Sequence, residues 1–407
     1  ERIRAVARRV VAARRRGCDM VVVVSAMGDT TDDLLTLAHE VTGQERAGGK
    51  HPREMDMLLS AGERISMALL AMAIREEGEA AVSLTGSQAA IITDEAHTAA
   101  RITEVRADRV REAVADGNIA IVAGFQGVSR SREITTLGRG GSDTTAVALA
   151  AALRADRCEI YTDVPGIYTA DPRRVSGARV IPEISYTEML ELAAGGAQVM
   201  HARAIEIASR FDVDVWVGSS FEEGESSAGT LITRTPKRME DLVLTGITAQ
   251  RGHAKLVIRG LPPGMHSLTA ILVALAEDGV SVDMISEAQD PGGGMQLQVT
   301  VAEAQADDAV RLAEQVLHAS GGAGSVEARR GLSRVALVGS GMHQRPGVYA
   351  RAFRTLLEGD IEVYAVSTSG ISITLWVPAA REDDAVRALH DAFSLELAGT
   401  GASGGAG

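Results

Sequence analysis

The sequence predicts an α/β layer domain with a mostly parallel sheet, followed by two smaller repeated units. Short β-branched runs alternate with helical stretches through the first half of the chain, which is the pattern of strands joined by crossover helices. The second half instead has one strand–turn–helix–strand–strand order twice. An α/β domain followed by a tandem repeat is therefore the expected architecture.

Five apolar runs are expected to be buried strands of the parallel sheet. Each is rich in aliphatic residues and is followed by polar or glycine-containing residues, as strands covered on both faces usually are. These runs are residues 19–24, 81–84, 119–122, 159–161 and 213–217. Helices are expected between them, notably over residues 54–75 and 143–155. Ligands of such sheets bind in loops at the carboxyl ends of strands, so the polar loops there are candidate site segments.

Residues 1–16 have the spacing of an amphipathic helix. Ile3, Val6, Val10 and Val11 would lie on its apolar face. No capping residue precedes this helix, so we expect further residues upstream of Glu1.

The repeat in the second half consists of a first copy at residues 254–302 and a second at residues 334–378. Each copy is expected to form a strand, a Pro-Gly turn, a helix and two further strands. The turns are residues 262–264 and 345–347, the helices 268–278 and 348–357, and the strands that follow 280–282 and 361–363. Two such units in tandem are a much more specific pattern than one alone.

Composition limits the classes of function. The chain has 407 residues, enough for two or three domains, and a net charge of −13, which argues against binding nucleic acid or an anionic membrane surface. Its two cysteines, Cys18 and Cys158, lie in apolar or strand-like contexts, as expected for a reduced cytoplasmic protein. We find no apolar run of the roughly 20 residues that a membrane helix needs, and no signal peptide.

A glycine-rich segment is the strongest candidate for anion binding. Residues 135–146 read Thr-Thr-Leu-Gly-Arg-Gly-Gly-Ser-Asp-Thr-Thr-Ala, with three glycines around Arg139 at the start of an expected helix. Glycine lets backbone N–H groups approach a phosphate or carboxylate, and a helix N-terminus favours anions. Either Ser142 or Asp143 is expected to cap the helix. On these residues alone, an ordinary glycine-rich turn before a capped helix remains an equal alternative.

Three further segments follow strands or interrupt helices. Residues 161–173 form a polar loop with Pro-Gly and Asp-Pro turn signals, for which a simple surface loop remains the alternative. Residues 25–31 follow the first strand, and residues 60–64 place a glycine inside a helix. Because an interior glycine destabilises a helix by roughly 1 kcal/mol relative to alanine, it often has a packing or binding reason. The neighbouring Glu63 would by itself be interpreted as a solvated helix residue.

Together these segments resemble the aspartokinases over nearly the whole chain, and the repeat resembles a pair of ACT domains. The resemblance is to the actinobacterial type, without its N-terminal strand. It implies an amino-acid-kinase domain at residues 1–235 with the three-layer fold, and βαββαβ ACT regions at 240–325 and 330–400. It also implies phosphorylation of the side-chain carboxylate of L-aspartate by ATP with Mg²⁺, the first step toward the aspartate-family amino acids. Regulation by lysine or threonine and a homodimer or larger assembly through the ACT domains are further implications.

The resemblance assigns roles to individual residues. Arg139 and Asp143 are implied to be catalytic. The substrate-binding residues that it implies are Thr31, Glu63, Arg139, Gly140, Gly141 and Ser142. Those that it implies for ATP are Ser25, Ser142, Thr162, Asp163, Tyr168, Asp171, Arg173 and Gln198. It implies no protein-held metal, and the allosteric residues that it implies are Gly264, Asp283, Glu287, Ser367 and Thr368.

The chain departs from the family pattern at two basic groups and in the ACT region. The family's N-terminal Lys-containing strand would lie upstream of Glu1, and Gln198 stands where the family usually has Lys, with Arg203 as the expected substitute at the phosphates. The first ACT turn lacks the family's Asp, and Glu287 stands where Gln is usual. Because each unpaired charge weakens a buried amino-acid site, we expect a weaker response to lysine and threonine.

Two alternatives stay open at this point. The missing basic groups are also compatible with a weakly active or non-catalytic aspartokinase-like regulatory subunit. An amino-acid kinase that acts on another substrate, such as glutamate, is a further alternative, against which the tandem ACT units argue.

Overall fold

The structure is a computed structural model. It describes residues 1–43, 50–197, 199–221, 228–237, 244–289, 294–321, 324–342, 345 and 347–395. These residues form two compact units. The first comprises Glu1–Ile167, Pro182–Leu190 and Gln198–Lys237, and the second comprises Tyr168–Ile181, Glu191–Ala197 and Arg238–Gly407.

The centre of the first unit is a three-stranded parallel sheet that contains three of the five predicted strands, whereas the runs expected at 159–161 and 213–217 pair with each other in a separate sheet. Its strands are β1 (Val21–Val24), β2 (Ala81–Leu84) and β5 (Ile119–Ala123), in the order β1-β5-β2. All five residues of β5 are buried, because it is the middle strand and both faces are covered. This arrangement confirms the α/β class.

Helices cover both faces of this sheet. The helices of the first half are α1 (Arg2–Arg15), α2 (Thr30–Thr42), α3 (Pro52–Leu59), α4 (Ala61–Glu76), α5 (Asp108–Ala115) and α6 (Gly141–Leu153). One apolar core joins α1 and α4 to the sheet, and a second joins α5 and α6 to its other face. In α1 the expected face is wrong at one position, since Val6 is 39% exposed and Ala7 is fully buried instead.

Two further sheets complete the first unit. The order β8-β10-β11-β9 joins Cys158–Thr162, Val215–Ser219, Gly229–Thr233 and Glu183–Ser185. The order β4-β3-β6-β7 joins Ile102–Val105, Ile91–Thr93, Gln126–Ser129 and Ile134–Thr136. The glycine-rich segment leaves the last of these strands, β7, and enters α6. The remaining helices of this half are α7 (Tyr186–Ala194) and α8 (Ala202–Phe211), and α6 packs on α8.

The predicted helix at residues 54–75 is two helices, α3 and α4, that meet at Ser60. Together they also correct the expectation about membrane spans. Among the described residues, Pro52–Glu76 is the one stretch long and apolar enough to cross a membrane, with a mean hydropathy of 1.5. Half of its apolar window is buried inside the structure, as in the core helix of a folded domain.

The second unit contains one six-stranded antiparallel sheet, in the order β13-β14-β12-β15-β17-β16. Its strands are Val282–Gln289, Met295–Ala302, Gly246–Leu261, Ser325–Val338, Ser372–Pro378 and Ala365–Thr368, in that order. Its helices are α9 (Met265–Glu277), α10 (Ala306–Ala319), α11 (Val348–Glu358) and α12 (Glu382–Ala392), with 3₁₀ turns at Glu303–Gln305 and Ala379–Arg381. The expected strand at residues 361–363 is wrong, because strand structure there begins at Ala365.

Both repeats share the two long strands of this sheet. The second half of β12 pairs with β14, whereas its first half lies beside the part of β15 that pairs with β17. Gly252 and Gly331, with φ of +86° and +68°, lie at the middle of β12 and β15, where the pairing register shifts. Helices α9 and α10 cover one half of the sheet and α11 and α12 the other. Each repeat therefore forms a four-stranded, two-helix unit.

Candidate active site

The loop after β1 lies against the start of α4. A Cβ added to Gly62 would lie 2.8 Å from the Cβ of Ala26, so only glycine permits this approach. The approach brings Glu63 to the loop, where its Oε1 accepts a hydrogen bond of 3.1 Å from the Ala26 N–H. Gly62 lies in the first turn of α4 rather than inside one long helix, and it has the packing reason that the sequence suggested.

Glu63 is a buried carboxylate, and interpreting it as a solvated helix residue would be wrong. It is 4% exposed, and its Oε2 has no hydrogen-bond partner among the described residues. Burial raises the pKa of Glu63, and the backbone hydrogen bonds only partly oppose that effect. A buried, half-satisfied carboxylate suits a cationic partner such as a substrate ammonium group.

The ends of β1 and β5 meet the start of α6. A Cβ on Gly124, just after β5, would lie 2.9 Å from both the Ser142 Oγ and the carbonyl oxygen of Val24. Gly140 is the N-cap of α6 with φ of +66°, and no side chain caps the helix. The expected cap by Ser142 or Asp143 is therefore wrong. Their side chains are left available for contacts other than the helix backbone.

The glycine-rich loop is held at its upstream end by hydrogen bonds to its backbone. The Leu137 N–H donates to the Phe125 carbonyl oxygen at 2.9 Å. Arg203, on α8, donates to the carbonyl oxygens of Leu137 at 2.5 Å and Ala100 at 2.8 Å. Arg203 is thus bound to the backbone of the loop, which corrects the expectation that it replaces a phosphate-binding lysine.

His201 contacts the downstream end of the same loop. A Cβ on Gly140 would lie 2.2 Å from the His201 Cβ, so the imidazole side chain packs directly on the glycine. At the start of α8, Arg203 therefore contacts the upstream end and His201 the downstream end of the segment that carries Arg139.

Asp56 is a structural carboxylate that the sequence analysis missed. It is fully buried and accepts hydrogen bonds from the Thr136 Oγ1 at 2.5 Å and the Thr98 N–H at 3.0 Å. The His97 Nδ1 lies 2.6 Å from its other oxygen. The only signal in the sequence is an Asp on the apolar face of α3. Asp56 fixes the end of β7, from which the glycine-rich loop begins.

Arg139 and Asp143, the two residues expected to be catalytic, have no partner in the described part of the chain. Arg139 is exposed and forms no ion pair there, so its guanidinium is available to a ligand. Asp143 is half-buried, and burial raises its pKa to about 6. Burial, Asp143 and Glu159 raise the pKa of Cys158 to about 12, so this thiol is unreactive.

Comparison with known proteins identifies the family of this site. The amino acid kinase family matches residues 1–219, and an ACT domain matches residues 335–393. An aspartokinase of Geobacillus stearothermophilus is 46% identical over 397 residues, which is 97% of this chain and 94% of the relative. The chain belongs to the aspartokinase family.

Two solved structures support the family assignment. The first is E. coli aspartokinase III in complex with aspartate and ADP (R-state), with a TM-score of 0.77 and 26% identity over 96% of both chains. The second is the same enzyme in complex with lysine and aspartate (T-state), with a TM-score of 0.69 and 26% identity over 94% of this chain and 95% of that one. The amino-acid-kinase and ACT folds expected for an aspartokinase are confirmed.

Further residues that the aspartokinase resemblance assigns to aspartate, and Ser25, which it assigns to ATP, lie at the same edge of the sheet. Ser25 directly follows β1 and is exposed, and Thr31 lies half-buried in the first turn of α2. Gly141 adjoins Phe125, where an added Cβ would lie 2.8 Å from the Phe125 Cδ2. The structure thus brings together residues from the β1 loop, α4 and the glycine-rich loop.

The residues expected to bind ATP are divided between the two compact units. In the first unit Thr162 ends β8 and Asp163 follows it, and the Thr162 Oγ1 donates to the Asp163 Oδ1 at 3.1 Å. In the second unit, Arg173 forms a two-bond ion pair with Asp171, with distances of 3.0 and 2.9 Å.

Two residues complete the set that the resemblance assigns to ATP. Tyr168 belongs to the second unit and pairs with Val180 in an isolated bridge. Gln198 lies outside the described residues. The nucleotide roles of all these residues remain predictions.

Three of the expected allosteric residues come together in the second unit. Asp283, Ser367 and Thr368 line a cavity of about 180 Å³ together with Glu191, Arg334 and Trp376. Gly264 and Glu287 do not line it: a Cβ added to Gly264 would have no atom within 4 Å, and Glu287 is exposed on the edge strand β13. The Arg334 Nε and Trp376 Nε1 are buried without hydrogen-bond partners among the described residues.

Proposed function

We propose that this chain transfers the γ-phosphoryl group of ATP to the side-chain carboxylate of L-aspartate, which gives 4-phospho-L-aspartate and ADP. The observation that carries the proposal is the convergence, at the carboxyl ends of β1 and β5, of the buried Glu63 carboxylate with the loop that presents Arg139. Membership of the aspartokinase family and the likeness to an E. coli aspartokinase bound to aspartate and ADP support it.

The reaction mainly requires that the protein position the two substrates and neutralise the charge on the transferred phosphoryl group. A carboxylate oxygen of aspartate attacks the γ-phosphorus, the bond from that phosphorus to the bridging oxygen breaks, and the electron pair leaves with ADP. No proton moves, because the nucleophile is already ionised. Mg²⁺ enters as part of the MgATP substrate, and the described residues contain no group of three or more His, Cys, Asp or Glu side chains that could hold a metal.

Each side chain has a role that follows from its surroundings. The exposed guanidinium of Arg139 binds a carboxylate of aspartate through two parallel hydrogen bonds. The unpaired Oε2 of Glu63 accepts from the α-ammonium group. The Ser142 N–H, at the positive end of α6, faces phosphate oxygens, whereas the Gly141 N–H donates to the Gly138 carbonyl oxygen at 3.0 Å. Asp143 supplies negative charge beside the cationic groups of the bound substrates.

The adenosine and phosphate contacts are proposed from the same resemblance. Thr162, Asp163 and Tyr168 are assigned to the adenosine and Arg173 to the phosphates, and Asp171 is assigned to ATP without a defined subsite. Arg173 would have to exchange its pair with Asp171 for phosphate oxygens. We also propose that the protein is cytoplasmic and forms a homodimer or larger assembly through its ACT domains.

Coupled measurement of ADP release tests the activity. With MgATP, aspartate should support turnover and glutamate should not. Turnover with glutamate alone would indicate a different amino-acid kinase. Absence of turnover from the full-length protein would favour the non-catalytic regulatory alternative.

Arg203→Lys should raise the KM for aspartate at least tenfold while the KM for MgATP changes little. A single ammonium group cannot reach both the Leu137 and Ala100 carbonyl oxygens in the way a planar guanidinium does, so the loop that carries Arg139 loses its anchor. The matched control is Arg210→Lys, at the other end of α8. Equal effects of the two substitutions on the KM for aspartate would contradict this role. In an Arg203→Ala variant, added guanidinium should partly restore the KM for aspartate.

We further propose that the 180 Å³ cavity at Asp283 and Arg334 binds the regulatory ligand. The Arg334 guanidinium and the Trp376 indole N–H need a hydrogen-bond acceptor. The Glu191 carboxylate needs a donor, as does the Asp283 carboxylate beyond its contact with the His253 Nε2 at 3.4 Å. A small molecule with both a carboxylate and an ammonium group meets both requirements. The likeness to the lysine complex of an E. coli aspartokinase supports an effector of this class.

Lysine and threonine should inhibit this protein less than they inhibit relatives with an intact ACT turn. The resemblance assigns the Gly264 turn and Glu287 to effector binding, although neither lines the 180 Å³ cavity. The turn lacks its Asp, and Glu287 would repel an effector carboxylate. Losing one charged hydrogen bond costs about 1.5–3 kcal/mol, or about ten- to a hundredfold in affinity. Titration of both amino acids, singly and together, against kinase activity checks this, and strong inhibition below millimolar concentration would contradict it.

A further inference from the structure

The exposed face of the first ACT repeat carries two cations directly opposite each other. Lys255 on β12 is the cross-strand neighbour of Arg329 on β15. Like charges in this position are destabilising. Neither side chain forms an ion pair with a carboxylate in the part of the chain that the structure describes. The sheet therefore holds a like-charge pair without a counter-charge.

Tyr364 fixes both cations in place. The Lys255 Nζ donates to the Tyr364 carbonyl oxygen at 2.6 Å, and the Arg329 guanidinium lies 4.0 Å from the centre of the Tyr364 ring. The Tyr364 hydroxyl donates to Glu362, so the Glu362 carboxylate is already engaged. Burial, and then the neighbouring Arg329, lower the pKa of Lys255, as expected for an ammonium group without a counter-ion.

The two cations line a concave surface large enough for a small molecule. Its volume is about 590 Å³, within the range of ligand pockets, and Val257 contributes an apolar floor. The lining also includes Arg259 and Glu327, which pair with each other at 2.7 Å. Three cations against one carboxylate give the lining an excess of two positive charges in a chain whose net charge is −13.

We propose that this concave surface is a binding site for a small multivalent oxyanion, held between Lys255 and Arg329 with its body over Tyr364 and Val257. Phosphate and carboxylate groups share the chemistry that a guanidinium and an ammonium group recognise. The concave shape favours a small ligand over a flat protein surface. The site is separate from the 180 Å³ cavity and does not depend on the proposed kinase reaction.

Calorimetric titration of the full chain in metal-free buffer tests the site. The probes are inorganic pyrophosphate and citrate, so that binding of one alone assigns the ligand to the phosphate or the carboxylate class. The variants are Lys255→Met and Arg329→Gln. Arg329→Gln leaves the hydrogen bond between Lys255 and Tyr364 intact, so it still tests the site if Lys255→Met does not fold. Arg330→Gln is the matched control, because it removes the same charge from the next residue, which pairs with Asp307.

Saturable binding should weaken at least tenfold in both Lys255→Met and Arg329→Gln, and it should stay unchanged in Arg330→Gln and Arg139→Ala. Absence of saturable binding, or equal weakening by Arg330→Gln, would overturn the proposal. Loss of binding in Arg139→Ala would assign the anion to the kinase loop instead. A change of oligomeric state in Arg329→Gln, measured by sedimentation, would assign the cations to a protein interface and would also overturn it.

Discussion

Arg139→Ala should lower kcat/KM for aspartate by about 30-fold to several thousand-fold, which corresponds to about 2–5 kcal/mol for a lost charge-assisted carboxylate pair. The fold should be spared, because Arg139 is exposed and has no ion-pair partner among the described residues. Steady-state kinetics with a melting curve for each protein measures both effects.

Arg130→Ala is the matched control for this substitution. Arg130 is an exposed arginine on the segment that leads to β7, outside the glycine-rich loop. Its removal should leave the kinetics unchanged. Near-normal KM and kcat in Arg139→Ala would refute the assignment of Arg139 to the substrate.

Asp143→Asn should lower kcat by about a hundredfold or more without destabilising the protein. Removing one group aimed at the charge of a transition state typically costs on the order of 10²–10³ in rate. Asparagine has the same shape, and the Asp143 side chain does not cap α6. The loss should therefore fall on turnover and leave folding intact.

The pH dependence of the protein's stability separates a catalytic role of Asp143 from a structural one. Burial raises its pKa to about 6 from a usual value of 3.8. The folded state thus binds this proton more tightly than the unfolded state, so its stabilising contribution is full below about pH 4 and is lost as pH rises through about 6. Because asparagine does not ionise, the Asp143→Asn variant does not lose stability in this way as the pH rises. Its melting temperature should be higher than that of the parent protein at pH 7.5 but not at pH 4.

The control for Asp143→Asn is Asp156→Asn, an exposed position after the same helix. It should change neither kcat nor the pH profile of melting. A melting temperature of Asp143→Asn that falls together with its activity would show that Asp143 is structural.

Local patterns in the sequence were sufficient to predict the fold class and the segments that form the site. The runs around β1, β2 and β5 predict strands because their β-branched residues fit a sheet covered on both faces. Gly62 marked a close approach because glycine inside a helix is unfavourable unless something requires it. Both inferences rest on a few consecutive residues, and both are confirmed.

Interactions between distant residues could not be predicted in this way. Asp56 and Thr136 are 80 positions apart, and Arg203 reaches Leu137 across 66 positions. Spacing along the chain shows that a charged residue is present but not which carbonyl or hydroxyl it meets. For the same reason Glu63 was open to interpretation as a solvated residue, since its burial depends on the approach of the β1 loop.

The prediction of a short strand at residues 361–363 was wrong for a different reason. An apolar, β-branched sequence there has the right composition, but strand structure begins only at Ala365, where pairing with β17 starts. Strand formation depends on a paired neighbour as well as on propensity.

The sharing of β12 and β15 between both repeats has a consequence for dissecting the protein. A cut between the repeats at residue 330 would fall inside β15. The C-terminal fragment would lose the first half of β12, and that half of β12, left in the N-terminal fragment, would lose its pairing partner in β15. Exposed strand edges of this kind aggregate. The regulatory half should therefore behave as one cooperative module, in which local unfolding of either repeat exposes backbone of the other and excised single repeats precipitate.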